Sequence, residues 1–336
     1  LTISTTLTMR PADFSLRSRR DVLRAGAAAL AGCVAGATAL SARADERHTL
    51  RMGFQKAGGL LGLLKAQGGL EARLASRGWS VTWHEFPAGP QLLEALDAGS
   101  VDFGYTGAPP PIFAQAADKD IVYVGAEPGA PHIEAIVVKP GSRLAQVSDL
   151  KGKRVAVQKG SSSHFLLIAA LEHAGLGFAE IQPVYLPPAD ARAAFESDRV
   201  DAWTIWDPYL AAVQASAKVR VLADYTQLLR PHSFYESSRR FASESPQLLT
   251  EVLDLIAATG VWASAHPDQV AASLAPALGL PVDVLEVWQR RMRYGVQPVD
   301  AAVVATQQQI ADTFFRNKLI PKPIEVARNV WRAPRA

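Results

Sequence analysis

Cysteine is nearly absent: the 336 residues contain one, Cys33. A single thiol excludes an internal disulfide and a CxxC redox pair, and leaves no cysteine cluster to ligate a metal. The seven histidines, at 48, 84, 132, 164, 173, 232 and 266, never fall at HxxxH or HExxH spacing, so there is no local zinc motif. No GxGxxG turn follows a strand pattern, and GxxxxGK[ST] spacing is also missing. Gly160-Ser161-Ser162-Ser163-His164 falls short of a GxSxG nucleophile elbow because His164 stands where the second glycine belongs. No motif for a nucleophile, metal or nucleotide cofactor emerges, and the chain reads as non-enzymatic, with neither metal nor cofactor.

An excess of positive charge is also missing once the N-terminus is set aside. Of 35 Lys+Arg and 32 Asp+Glu, residues 1–44 hold six arginines and two aspartates, which leaves 29 against 30 and a net charge of −1. A near-neutral body excludes nucleic acid as a partner. Ser18-Arg19-Arg20-Asp21-Val22-Leu23-Arg24 is similar to a twin-arginine export motif, with Val22 in place of the usual Phe. An Ala/Gly-rich apolar stretch follows from Ala25 to Leu40, and Ala42-Arg43-Ala44 offers an A-x-A cleavage site before Asp45. Residues 1–44 are therefore expected to be an export signal peptide that directs the protein to the periplasm. Leu30-Ala31-Gly32-Cys33 spells a lipoprotein box, and lipid anchoring at Cys33 is the alternative.

The body has 49% hydrophobic residues and length enough for two lobes. From Thr49 onward, short apolar strands alternate with amphipathic helices, the pattern of an α/β fold with largely parallel sheets. Strands are predicted at 50–54, 81–86, 101–105, 121–124, 133–138, 154–158, 181–186, 202–206 and 219–222. A helix is predicted over 60–76, and mostly helix over 245–317. The motifs also echo. Arg51-Met-Gly-Phe-Gln55-Lys56 parallels Arg154-Val-Ala-Val-Gln158-Lys159, and Val101-Asp102 parallels Val200-Asp201 at nearly the same offset. Two related lobes follow, with ligand in the crevice at the carboxyl ends of their strands.

The most informative segment is Arg154-Val-Ala-Val-Gln158-Lys159-Gly160-Ser161-Ser162-Ser163-His164, followed by a helical apolar pattern. A strand, a glycine turn and a helix start rich in hydroxyls together make an oxyanion cradle. In Trp203-Thr-Ile-Trp206-Asp207-Pro208-Tyr209, Trp206 ends a strand and offers a wall to an aliphatic ligand, and Asp207 suits a helix cap. In Tyr105-Thr106-Gly107-Ala108-Pro109-Pro110-Pro111, a rigid turn places Thr106 and nearby N–H groups opposite the serines. Lys56 is a further candidate for the anion.

At these motifs the chain closely resembles the periplasmic aliphatic-sulfonate-binding proteins of ABC importers, relatives of the taurine- and nitrate-binding proteins. Similarity runs from about Leu50 to Trp331 and includes Gly53-Phe-Gln-Lys56, Glu85-Phe-Pro-Ala-Gly-Pro-Gln91, Gln158–His164, Pro188–Phe195 and Asp201–Tyr209. The resemblance implies a type II periplasmic-binding-protein fold, two Rossmann-like lobes on a two-strand hinge. Lobe I is expected over 45–137 and 229–336, and lobe II over 138–228. It implies a receptor, expected to be monomeric, that captures an organosulfonate and hands it to a membrane permease and ATPase for sulfur acquisition. Family-style binding positions map onto Gln55, Thr106, Gly107, Ser161, Ser162, Ser163, Trp206 and Asp207. Ala108 departs from the pattern, since the family commonly has an acidic residue there, which implies plain alkanesulfonates over taurine. The alternatives on this scaffold are taurine, nitrate, sulfate esters or a pyrimidine as ligand, or an enzyme resembling the thiamine-pyrimidine synthases.

Overall fold

The computed structural model describes residues 48–55 and 59–333. The expected leader, Cys33, Asp45 and Lys56 lie outside these residues. Ten strands form two five-stranded sheets: β1 (His48–Gln55), β2 (Trp79–Phe86), β3 (Phe103–Gly107), β4 (Ile121–Glu127), β5 (Glu134–Val138), β6 (Arg154–Val157), β7 (Gln182–Tyr185), β8 (Ala202–Trp206), β9 (Arg220–Ala223) and β10 (Ser233–Ser238). The first sheet has the order β2-β1-β3-β10-β4 and the second β7-β6-β8-β5-β9. In each, one strand arrives from the far side of the molecule and runs antiparallel to its neighbours. β10 pairs with β3 and β4, and β5 with β8 and β9. This is the two-lobed α/β architecture with a two-strand connection that the sequence implies.

The internal echo has a structural cause. The Arg51 guanidinium grips Asp102 with Nε at 3.0 Å and Nη2 at 2.6 Å, while the Arg51 N–H adds a bond of 2.9 Å. Arg154 holds Asp201 with the same three donors at 3.3, 3.0 and 2.8 Å. Each clamp ties one inner strand to the turn that enters its parallel neighbour, β1 to β3 and β6 to β8. A planar fork on a carboxylate fixes register as well as distance.

Four sequence expectations change. The helix expected over 60–76 is two helices, Gly59–Gln67 and Gly69–Ala75, because Gly68 adopts φ +65 between them. The prolines of 109–111 open a helix, Pro109–Ala116, rather than forming a turn; the first helical turn tolerates proline because its N–H groups have no helical acceptor. β10 was not anticipated: three of its buried residues are polar, Glu236, Ser237 and Ser238, so the apolar pattern of an inner strand is missing. Finally, β5 pairs entirely within the second sheet, so the first crossing falls in 128–133 rather than after residue 137.

The two crossing segments, 128–133 and 224–232, run against each other. Tyr225 N–H donates to the Pro131 carbonyl at 3.1 Å, and His132 Nδ1 meets Asp224 Oδ2 at 2.8 Å. Helices 246–265, 267–278 and 282–291 pack on the first sheet's core. Helix Ala301–Arg316 instead spans both halves, with Phe314 fully buried and its ring 5.0 Å from Phe113 and 6.3 Å from Phe165. At Gly129 a Cβ atom would lie 2.0 Å from the Pro231 carbonyl oxygen, and backbone cannot yield as a side-chain tip does. Gly129→Ala is expected to cost roughly 1–3 kcal/mol and to lower the melting temperature by several degrees, measured by calorimetry.

Candidate functional site

The cleft lies where the carboxyl ends of the strands in both sheets face one another. In the second lobe it begins with the loop after β6. Gly160 takes φ +75, and its N–H donates to His164 Nδ1 at 3.2 Å. That bond assigns the imidazole proton to Nε2. Burial pushes the His164 pKa down to about 4, so the ring is neutral. Ser161 is the N-cap of helix Ser162–His173: its Oγ accepts from His164 N–H at 3.3 Å and donates to the Gln158 carbonyl at 2.7 Å. Its only proton is thereby used, so Ser163 Oγ, 3.0 Å away and fully buried, is the donor between them. Ser162 remains, half-buried and facing the cleft. The N–H groups of Ser162 and Ser163, first in the helix, have no acceptor within it.

Across the cleft is the first lobe. Gln55 ends β1, its Nε2 donating to the Tyr105 carbonyl at 3.0 Å. Gly107 ends β3, and a Cβ there would lie 2.9 Å from Ser162 Cβ. Backbone and serine therefore meet directly across the gap. Trp206 stands at the end of β8, in register with Glu134 on β5. Ile133, Pro110, Trp288 and Met292 complete an apolar wall, and Tyr105, Ser233, Glu134 and Asp207 add polar groups.

Six of the nine residues marked from sequence line this cleft: Gln55, Gly107, Ser161, Ser162, Trp206 and Asp207. Thr106 does not, since its hydroxyl is turned into the first lobe, donating to Glu236 Oε1 at 2.5 Å. Ser163 is committed to Ser161 as described. Asp207 lines the cleft with a carboxylate already engaged. Oδ1 accepts from Ala211 N–H at 2.8 Å, and Arg291 Nη1 lies 3.2 and 3.1 Å from its two oxygens. Arg291 ends helix Val282–Arg291 of the first lobe and also donates to Gln214 at 2.7 Å, so it bridges the lobes. Sequence reasoning missed Glu134, Trp288, Met292 and Arg291. For Trp288 and Met292 the signal lay in a helical stretch with no motif, and no local pattern ties it to the cleft.

Burial raises the pKa of four carboxyls in or behind the site: Glu127 to about 7, Glu134 to about 8, Asp207 to about 6, and Glu236 well above the ordinary carboxylate range. For Asp207 the Arg291 charge offsets part of the rise. Glu127, behind the cleft, accepts from Tyr105 Oη at 2.5 Å and Tyr235 Oη at 3.2 Å. Among the described residues no cluster of His, Cys, Asp and Glu is arranged to hold a metal ion.

A family model described as NMT1/THI5 like matches residues 75–270. A relative from Escherichia coli (strain K12), named as an aliphatic sulfonates-binding protein, is 45% identical over 305 residues, 90% of this chain and 95% of the relative. The chain belongs to this family. Among solved structures, the alkanesulfonate-binding protein SsuA from Xanthomonas axonopodis pv. citri, bound to MOPS, matches with TM-score 0.81 and 43% identity, covering 86% of this chain and all (100%) of that one. The periplasmic aliphatic sulphonate binding protein SsuA of Escherichia coli matches with TM-score 0.78 and 46% identity over 84% and 97% of the two chains.

The raised carboxyls set the pH dependence of stability. Glu127, Glu134 and Asp207 keep protons in the folded state where the unfolded chain has released them. Their contribution is full below the unfolded carboxylate range and is lost as pH rises through about 6 to about 8. His164 acts in the opposite sense, its contribution being lost as pH falls from 6.5 toward about 4. The melting temperature should therefore rise as pH is lowered from about 8 to about 5.5, with His164 reducing the slope below 6.5. Calorimetry across that range checks it; a melting temperature climbing toward about pH 8 would contradict the burial of these protons.

Proposed function

We propose that this protein is a non-enzymatic receptor that captures an aliphatic sulfonate in the periplasm and delivers it to the permease and ATPase of an ABC importer, as a monomer. The observation that carries the reading is the apposition of Ser162, with the free N–H groups of its helix start, to Gly107 across a cleft walled by Trp206, Trp288 and Met292. A sulfonate is ionised throughout the physiological range and offers three acceptors and no donor. Backbone N–H groups, the Ser162 hydroxyl and the Gln55 amide answer it with donors. The alkyl chain then lies against indole and thioether. Bonds to a charged acceptor are worth about 1.5–3 kcal/mol each. Three of them with burial of a short chain reach the roughly −8 kcal/mol of micromolar binding after losses on association.

Ligand-binding roles are assigned to Gln55, Lys56, Gly107, Ser162 and Trp206, with Ser161 capping the helix at the cleft and Thr106 and Ser163 supporting them from behind. Asp207 acts with Arg291 as a contact between lobes that favours the closed form. Among the described residues the moving bodies are the first sheet with its helices, up to residue 127 and from 233 onward, and the second sheet with its helices over 134–223, with the crossings at 128–133 and 224–232 as hinge. Closure follows if only the closed form contacts the anion from both sides. Delivery in the periplasm agrees with the expected leader, and the periplasmic relatives support it.

Titration calorimetry in sulfonate-free buffer, with ethanesulfonate, taurine, sulfate and nitrate, tests the function. One-to-one binding of ethanesulfonate without turnover is expected, and silence toward every sulfonate would overturn the assignment. Ser162→Ala should weaken ethanesulfonate by about tenfold or more, and Gly107→Ala should do the same by holding the lobes apart. Both should leave the melting temperature nearly unchanged. Arg291→Met should weaken binding and also lower stability, because it leaves the buried Asp207 carboxyl without its cation.

A further inference from the structure

Two carboxyl groups line a cleft assigned to an anion, Glu134 and Asp207. Asp207 has Arg291 against it. Glu134 has no cation. It is 5% exposed, its partner is the Ser162 hydroxyl, and its Oε2 has no hydrogen-bond partner. The groups around it are Asp207 from the end of β8 with Arg291 behind, the Tyr225 phenol following β9, Ser162 from the helix start, and Tyr105 from β3 with Glu127 behind. Arg291 is the only cation in this set, and Asp207 matches its charge. An ionised Glu134 would hold the very serine that the anion needs and would repel the incoming sulfonate.

We propose that Glu134 is protonated in the sulfonate complex, donating its O–H toward the anion head, so that capture of a sulfonate at alkaline pH takes up a proton from solvent. The inference rests on the sulfonate reading above. Geometry favours the head over the tail, because Glu134 bonds the cradle serine whereas Trp206, Trp288 and Met292 form the apolar wall. Burial agrees, raising the Glu134 carboxyl to about 8, and a neighbouring anion raises it further. Glu134 also makes up for the small number of donors among the side chains. Ser161 and Ser163 are tied to each other, Thr106 is tied to Glu236, and a neutral carboxyl adds one donor at the anion.

The test is calorimetry of the purified protein with ethanesulfonate, whose own charge is constant over the range. The dissociation constant should rise about tenfold between pH 6.5 and pH 9. At pH 8, comparison of phosphate and Tris buffers, which differ in ionisation enthalpy, should show uptake of about half a proton per ligand. Glu134→Gln, a neutral donor of the same shape, should bind a few-fold more weakly at pH 6.5, with a flat pH profile and no proton uptake. Taurine serves as a control, since its ammonium would select an ionised Glu134. A pH-independent affinity in the wild type, the same pH dependence in Glu134→Gln, or taurine affinity rising with pH would each overturn the inference. Sulfonate binding without proton uptake overturns it alone; absence of all sulfonate binding overturns the functional reading with it.

Discussion

The approach of Gly107 to Ser162 is the constraint on which the site depends. An anion held between two lobes needs donors from both, close enough to share its oxygens. That requires a helix start with free N–H groups on one side and a strand end without a side chain on the other. A Cβ at Gly107 would fall 2.9 Å from Ser162 Cβ, so the gap can narrow this far only with glycine. The rest of the second lobe's loop serves that helix start. His164 fixes Gly160, Ser161 caps the helix, and Ser163 secures Ser161. Ser162 is left facing outward by elimination, since its neighbours have spent their donors inside.

Charge inside the molecule is managed by pairing and by protonation. Asp207 is opposed by Arg291, while Glu127 and Glu236 accept from tyrosine and threonine hydroxyls. Burial pushes Glu127, Glu134, Asp207 and Glu236 toward their neutral forms. The consequence reaches beyond the cleft: Tyr105 joins the site to Glu127 behind it, so the first lobe's sheet carries a buried polar layer directly under the ligand.

Much of this was legible in the sequence where function is local. The strand–glycine–serine–helix unit lies within eleven consecutive residues, and its backbone geometry follows from its own residue types. The echo of Arg51 and Asp102 in Arg154 and Asp201 was visible as text before it became a pair of ion clamps. What escaped was set by tertiary packing. Ser233–Ser238 carries Glu236, Ser237 and Ser238 inward, so an inner strand reads as a polar loop. Thr106 was chosen for its hydroxyl, but Glu236, 130 residues away in sequence, claims that hydroxyl. Trp288 and Met292 reach the cleft only because their helix returns to the first lobe. Glu134 sits beside the expected lobe boundary, where nothing in its neighbourhood announces a ligand.

The strand exchange between sheets sets an order of assembly during synthesis. β10 lies between β3 and β4, yet it leaves the ribosome after every strand of the second sheet. Until then β4 has no strand to join it to β3, and the first sheet has an open seam between them. The second sheet has all five strands by residue 223. The half of the chain made first is therefore the half completed last, and the hinge closes only when β10 fills that seam.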